Sequence, residues 1–129
     1  MKVIDSSSII KYIAKEEDWK RVEEHVKEGC ITLDLALEET ANALVKKALR
    51  GEVDLETARE ILDYVPRIVK TASQKEQFPR ALEIAVKHKL PIYDALFIAL
   101  SANTNAPLLT SDKKQAGISK EYGITVIFV

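Results

Sequence analysis

The chain is short of most residues that would place it in a specialised class. It has one cysteine, Cys30, in 129 residues; no intrachain disulfide is possible, and an apolar setting makes Cys30 a core residue. Its two histidines, His25 and His88, fall on expected helices without the spacing of a metal site and read as surface or boundary residues. Glycine and proline number four each, too few and too scattered for a linker, a repeat or a phosphate-cradling loop. No apolar run approaches the roughly 20 residues that a bilayer span needs, and the N-terminus lacks the charge pattern and cleavage site of a signal peptide. No Ser-His-Asp arrangement with a nucleophile elbow is present. The net charge is only −1, so no field of one sign points to a partner. These absences leave a single domain of ordinary composition, with the cytoplasm as the default compartment.

What is present is an alternation of strand and helix patterns. Val3 and Ile4 suit a buried strand over 2–5, and Ser6, Ser7 and Ser8 follow where free N–H groups open a helix over about 6–14. A second helix spans about 16–28 and ends at Gly29, with Trp19 as a core or interface anchor; Cys30 to Leu33 form the next strand. Asp34 is the expected N-cap of a long helix over about 35–50, with Leu37, Ala41, Leu44, Val45 and Ala48 as its buried face and Glu39, Asn42, Ala43, Lys46 and Arg50 beside them as a polar stripe. A helix over 55–64 pairs with it, inward through Leu55, Ala58, Ile61 and Leu62. Ile68-Val69 suggests a short strand limited by Pro66, and a helix over 74–88 turns Phe78, Leu82, Ala85 and Val86 inward. Pro91 opens a helix that is apolar on nearly every side from Ala95 onward and is therefore buried. The strand Pro107 to Thr110, a helix over 113–121 and a final strand from Ile124 to Val129 complete the chain. Strands too apolar to have a wet face, alternating with helices, predict a three-layer α/β/α sandwich with a parallel sheet of about five strands.

Four acids take suggestive places in that frame. Asp5 follows the first strand and Asp112 the strand near 107–110, so both face one crevice if those strands are neighbours at the switch point of the sheet. Asp94 heads the buried helix, and Glu39 lies beside a core face. Each also has a plainer role: Asp5 as a helix cap, Asp94 as a partner of the helix dipole, Asp112 as a turn or cap residue, Glu39 as a solvated helix charge. Two carboxylates about 5 Å apart repel by roughly 3 kcal/mol at an effective dielectric of 20. A cluster of three or four therefore needs protons or a cation, and hard oxygen donors in that number select Mg²⁺ or Mn²⁺ over zinc.

The segments Val3-Ile4-Asp5-Ser6-Ser7, Leu33 to Leu44, Tyr93-Asp94-Ala95 and Leu108 to Asp112, in this order and spacing, resemble the PIN domain. Among its members the chain is most similar to the small single-domain toxins of VapBC toxin–antitoxin pairs. The resemblance covers essentially the whole chain. It implies a metal-dependent ribonuclease holding one or two Mg²⁺ or Mn²⁺ ions, with Asp5, Glu39, Asp94 and Asp112 as metal ligands and catalytic acids. Glu38 adjoins Glu39 and competes for the second position; the spacing Glu39-Thr40-Ala41-Asn42 fits the family better and puts Glu39 and Asn42 on one helix face. Ser6, Asn42 and Thr110 are then expected to support the ligands, and Lys46, Arg50, Lys113 and Lys114 to contact RNA phosphates. The resemblance also implies a homodimer and a small antitoxin partner, with the apolar helices of residues 35–64 as a surface for either. The rival expectation is a PIN-like scaffold that docks a partner without turnover.

Overall fold

A computed structural model describes all of residues 1–129. The element order is β1 (Lys2–Ile4), α1 (Ser6–Ile13), α2 (Trp19–Glu28), β2 (Cys30–Leu33), α3 (Asp34–Leu49), α4 (Leu55–Ile68), β3 (Lys70–Ala72), a 3₁₀ turn (Lys75–Gln77), α5 (Phe78–His88), α6 (Ile92–Thr104), β4 (Leu108–Thr110), α7 (Lys113–Glu121) and β5 (Val126–Phe128). The five strands form one sheet in the order β3-β2-β1-β4-β5, and every pairing is parallel. The expected α/β/α sandwich is therefore observed. β1 lies at the centre, with Val3 opposite Ile31 on one side and opposite Leu108 on the other. Chain order reverses direction between β1 and β4, which makes the carboxyl ends of these two strands the switch point.

The central strands are buried because helices cover them. Val3, Ile4, Leu33, Leu108 and Leu109 are fully enclosed, and α6 packs against β1, β2 and β4. α6 is buried without interruption from Ala95 to Ser101, which accounts for its apolar composition on every side. Cys30 is buried in the same core, and burial pushes its thiol up to about 11. The edge strand β3 exposes Lys70 and Thr71, polar residues that discourage further strand pairing.

Several expected details are corrected. α2 begins at Trp19, after Asp18 takes a left-handed conformation, rather than near residue 16. Asp34 is the first residue of α3 and not its cap; Leu33 holds that position, and Gln74 Oε1 accepts from the N–H of Leu35 instead. The buried face of α3 is Leu35, Ala36, Thr40 and Leu44, while Val45 is 53% exposed. α4 runs to Ile68 with Pro66 inside it, so the strand expected at Ile68-Val69 begins at Lys70. Pro66 is exposed and lies near the helix end, where its missing N–H breaks only one bond. Leu55 is exposed at the start of that helix. On α5, Ala81 and Ile84 face inward, whereas Phe78, Leu82 and Val86 face solvent. α5 packs against α6, and Phe78, Leu82 and Val86 are left outside.

Candidate acid cleft at the sheet switch point

β1 ends at Ile4, opposite Leu109 of β4, and the next residues in register are Asp5 and Thr110. Asp5 is at once the N-cap of α1 and a wall of the cleft. Its Oδ1 accepts from the Ser8 N–H at 3.0 Å and from Ser7 Oγ at 2.7 Å, while Oδ2 accepts from Thr110 Oγ1. One side chain thus both caps the helix and lines the cleft. Burial is the largest influence on Asp5 and raises its carboxyl above the ordinary 3.8, against the lowering pull of Thr110, Ser7 and Ser8. The serines that follow are not interchangeable: Ser6 donates to Glu39, Ser7 to Asp5, and Ser8 hydrogen-bonds toward β4 through the Leu109 carbonyl.

A cavity of about 360 Å³ opens above these strand ends. Asp5, Glu39, Asp94 and Asp112 all line it, joined by Ser6, Ser7, Asn42, Lys46 and Gln115. α3 contributes Glu39, whose Oε1 accepts from Ser6 Oγ at 2.6 Å; Glu38 is exposed and does not line the cavity. Asn42 and Lys46 follow on the same face of α3, at the spacing of successive helical turns. Asp94 comes from the first turn of α6; burial, then the charge of Asp112, raises its carboxyl above the ordinary 3.8. Asp112 caps α7, its Oδ1 accepting from the N–H groups of Lys114 and Gln115 at 2.8 and 3.1 Å. Thr110 lies behind Asp5 rather than in the cavity.

Four acids from four elements thus share one wall of solvent. No three of them are gathered tightly enough to enclose an ion as they stand. The donor set is nonetheless all oxygen, and two of its carboxyls are raised by burial, the condition that a cation relieves. Of the basic residues expected to meet phosphate, Lys46 lines the cavity, Arg50 is ion-paired with Glu52, and Lys113 and Lys114 are exposed on the first turn of α7. Ser7, Ser8 and Gln115 are participants that the sequence did not single out. For Gln115 a signal existed, the spacing Asp112-x-x-Gln115 of a helix-capping pair.

Comparison with known proteins identifies the family and the fold. The model of the PIN domain matches residues 2–121. Ribonuclease VapC3 of Pyrobaculum aerophilum is 34% identical over 119 residues, covering 88% of this chain and 91% of that protein. The crystal structure of PAE2754, also from Pyrobaculum aerophilum, superposes with a TM-score of 0.76 at 26% identity over 97% of this chain and 82% of that one. A structure of VapBC2 from Rickettsia felis, bound to a DNA fragment from its promoter, shares the fold with a TM-score of 0.69 at 15% identity, over 98% of this chain and 97% of that one.

Proposed function

Since the chain belongs to the PIN domain family, we propose that it is a divalent-metal-dependent endoribonuclease, the toxin of a VapBC-type pair, that hydrolyses RNA phosphodiesters. The observation that carries this reading is the convergence of Asp5, Glu39, Asp94 and Asp112 on one cleft at the carboxyl ends of β1 and β4. The ribonuclease name of the 34%-identical relative supports the same reaction class.

One or two Mg²⁺ or Mn²⁺ ions, held by these four acids, would supply an acidified water and positive charge for the phosphate. The chain itself does the positioning. Ser7, Ser8 and Thr110 fix Asp5 from three directions, and Ser6 holds Glu39. Asn42 offers an amide to the phosphate or to a ligand from the same face as Glu39. Lys46 gives the cleft a cation for the RNA backbone, and Lys113 and Lys114 extend that charge along the rim. Arg50, engaged by Glu52, must exchange partners before it can reach RNA.

Beside the cleft lies an apolar pocket of about 220 Å³ lined by Ile10, Ile13, Ala43, Leu44 and Ile61; it shares Ile10 and Ala43 with the cleft wall. We take it as the seat of an apolar side chain of the antitoxin, whose adjoining residues then cover the acids. The exposed Val45, Leu49 and Leu55 of α3 and α4 form the surface for a second copy. The whole chain then acts as one domain, and an RNA substrate places that action in the cytoplasm. No helix is long and apolar enough to cross a membrane.

The test is cleavage of a panel of structured and single-stranded RNAs with Mg²⁺, with Mn²⁺ and with EDTA, alongside Asp5→Asn. Cutting that requires the metal and is abolished in Asp5→Asn is the expected result. No cutting of any RNA by folded, antitoxin-free protein would instead make the chain a binding module.

A further inference from the structure

Asp112-Lys113-Lys114-Gln115 has the spacing of a capping box, in which a Gln at the third helical position reaches back to the N–H of the capping residue. Only half of that box forms. Asp112 accepts from the N–H groups of Lys114 and Gln115, but its own N–H is given to Thr110 Oγ1 at 3.0 Å. The Gln115 side chain is thereby released from the backbone. It is 4% exposed, borders the acid cleft beside Asp94 and Asp112, and carries an Oε1 that receives no hydrogen bond. A buried acceptor without a donor destabilises a fold, so satisfaction of its own polar groups does not explain this placement.

The four acids supply the explanation. Asp5 is fixed by Ser7, Ser8 and Thr110, Glu39 by Ser6, and Asp112 by two N–H groups of α7. Asp94 has no such partner; Gln115 lines the cavity with it, and the influence of its side chain lowers the Asp94 carboxyl against burial and the charge of Asp112. A carboxamide has N–H donors to offer a carboxylate on one side and only its oxygen on the other.

We propose that Gln115 is a positioning residue of the acid cleft, its side-chain N–H holding the Asp94 carboxylate in the orientation that meets a divalent cation. This rests on the metal-dependent reading above and adds the group that orients its least supported acid. Groups that orient a ligand in this way typically change metal affinity or activity by 10–100-fold when removed.

The experiment compares the full chain with Gln115→Met, which keeps the length of the side chain and removes both amide groups. Three quantities are measured: the melting temperature without metal, Mn²⁺ affinity by titration calorimetry, and kcat and KM on an RNA that the parent cuts. The expected result is a melting temperature equal to or above the parent's, since the donorless acceptor is gone. Mn²⁺ binding weakens roughly 10-fold and kcat falls by a similar factor, with KM nearly unchanged. Parent-like Mn²⁺ affinity and kcat in the folded variant would overturn the proposal, whether or not its melting temperature drops. Should Gln115→Met not fold, Gln115→Asn, too short to reach Asp94, is judged by the same criteria. A parent that neither binds Mn²⁺ nor cuts RNA sinks the metal-dependent reading itself and this inference with it.

Discussion

Asp5 is the residue on which fold and site compete most directly. Its carboxyl is raised by burial despite three donors, and the sign of the consequence follows from linkage. A carboxyl whose folded value lies above its unfolded one contributes stability that is complete below the unfolded value, here near 3.8, and lost as pH rises through the folded value. Without metal, burial of the Asp5 carboxyl therefore weakens the fold as pH rises. Asp5→Asn, which keeps an oxygen for the Ser8 N–H, should raise the metal-free melting temperature at pH 7 by about 2–5 °C. The gap between variant and parent should shrink as pH falls toward 4, as thermal scans in a pH series would show. Added Mn²⁺ should stabilise the parent and not the variant, because only the parent gains binding energy in the folded state. On the proposed metal-dependent mechanism, the same substitution should lower RNA cleavage by more than about 100-fold, since it removes a charge assigned there to holding the ion. A group buried at such expense to the metal-free fold marks a site more firmly than its position in the sequence does.

At the scale of elements, α7 separates two functions of one carboxylate. Asp112 caps the helix through Oδ1 and also lines the cleft. Asp112→Asn retains a capping oxygen and should lose cleavage with little change in melting temperature. Asp112→Ala loses the cap as well, at about 1 kcal/mol, or roughly 3–5 °C. Equal losses of stability in the two variants would contradict this division of roles. Elements also show where sequence reading ran out. The order of strands and helices was legible because strand runs and helical periods alternate cleanly, and α6 could be placed in the core because its composition admits no wet side. The inward faces of α3 and α5 were not. α5 is apolar on two sides, and the bulkier set of Phe78, Leu82 and Val86 hid the set of Ala81 and Ile84 that packs against α6. On α3 the buried Thr40 interrupts the true inward stripe, which Leu37 joins partly buried, while Val45 extends a false one. The four acids could be singled out, since each stands at the end or face of an element. Ser6 could be named as a support but not matched to its acid, because Glu39 lies 33 residues away, and the bond of Ser8 to Leu109, 101 residues away, gave no signal.

For the whole molecule, those misread faces become its outer surface. Val45 and Leu49 are 53% and 83% exposed on α3, and Leu82 and Val86 are 61% and 73% exposed on α5. Apolar residues exposed in rows, rather than singly, mark a surface used for association. If α3 carries the contact with a second copy, Val45→Glu with Leu49→Glu should shift the particle from dimer to monomer in light scattering and leave its melting temperature within about 2 °C. Leu82→Glu on α5 serves as the control and should leave the dimer intact; loss of the dimer there would move the interface to α5.

The bond between Thr110 and Asp5 joins residues 105 apart in sequence. It forms across β1 and β4, so the first acid waits in an unfinished site until almost the last strand has been made. A chain still being synthesised holds Asp5 and Glu39 without Asp94, Asp112 or the strand that anchors them. The arrangement leaves the acid cleft incomplete until translation has passed the fourth acid, Asp112.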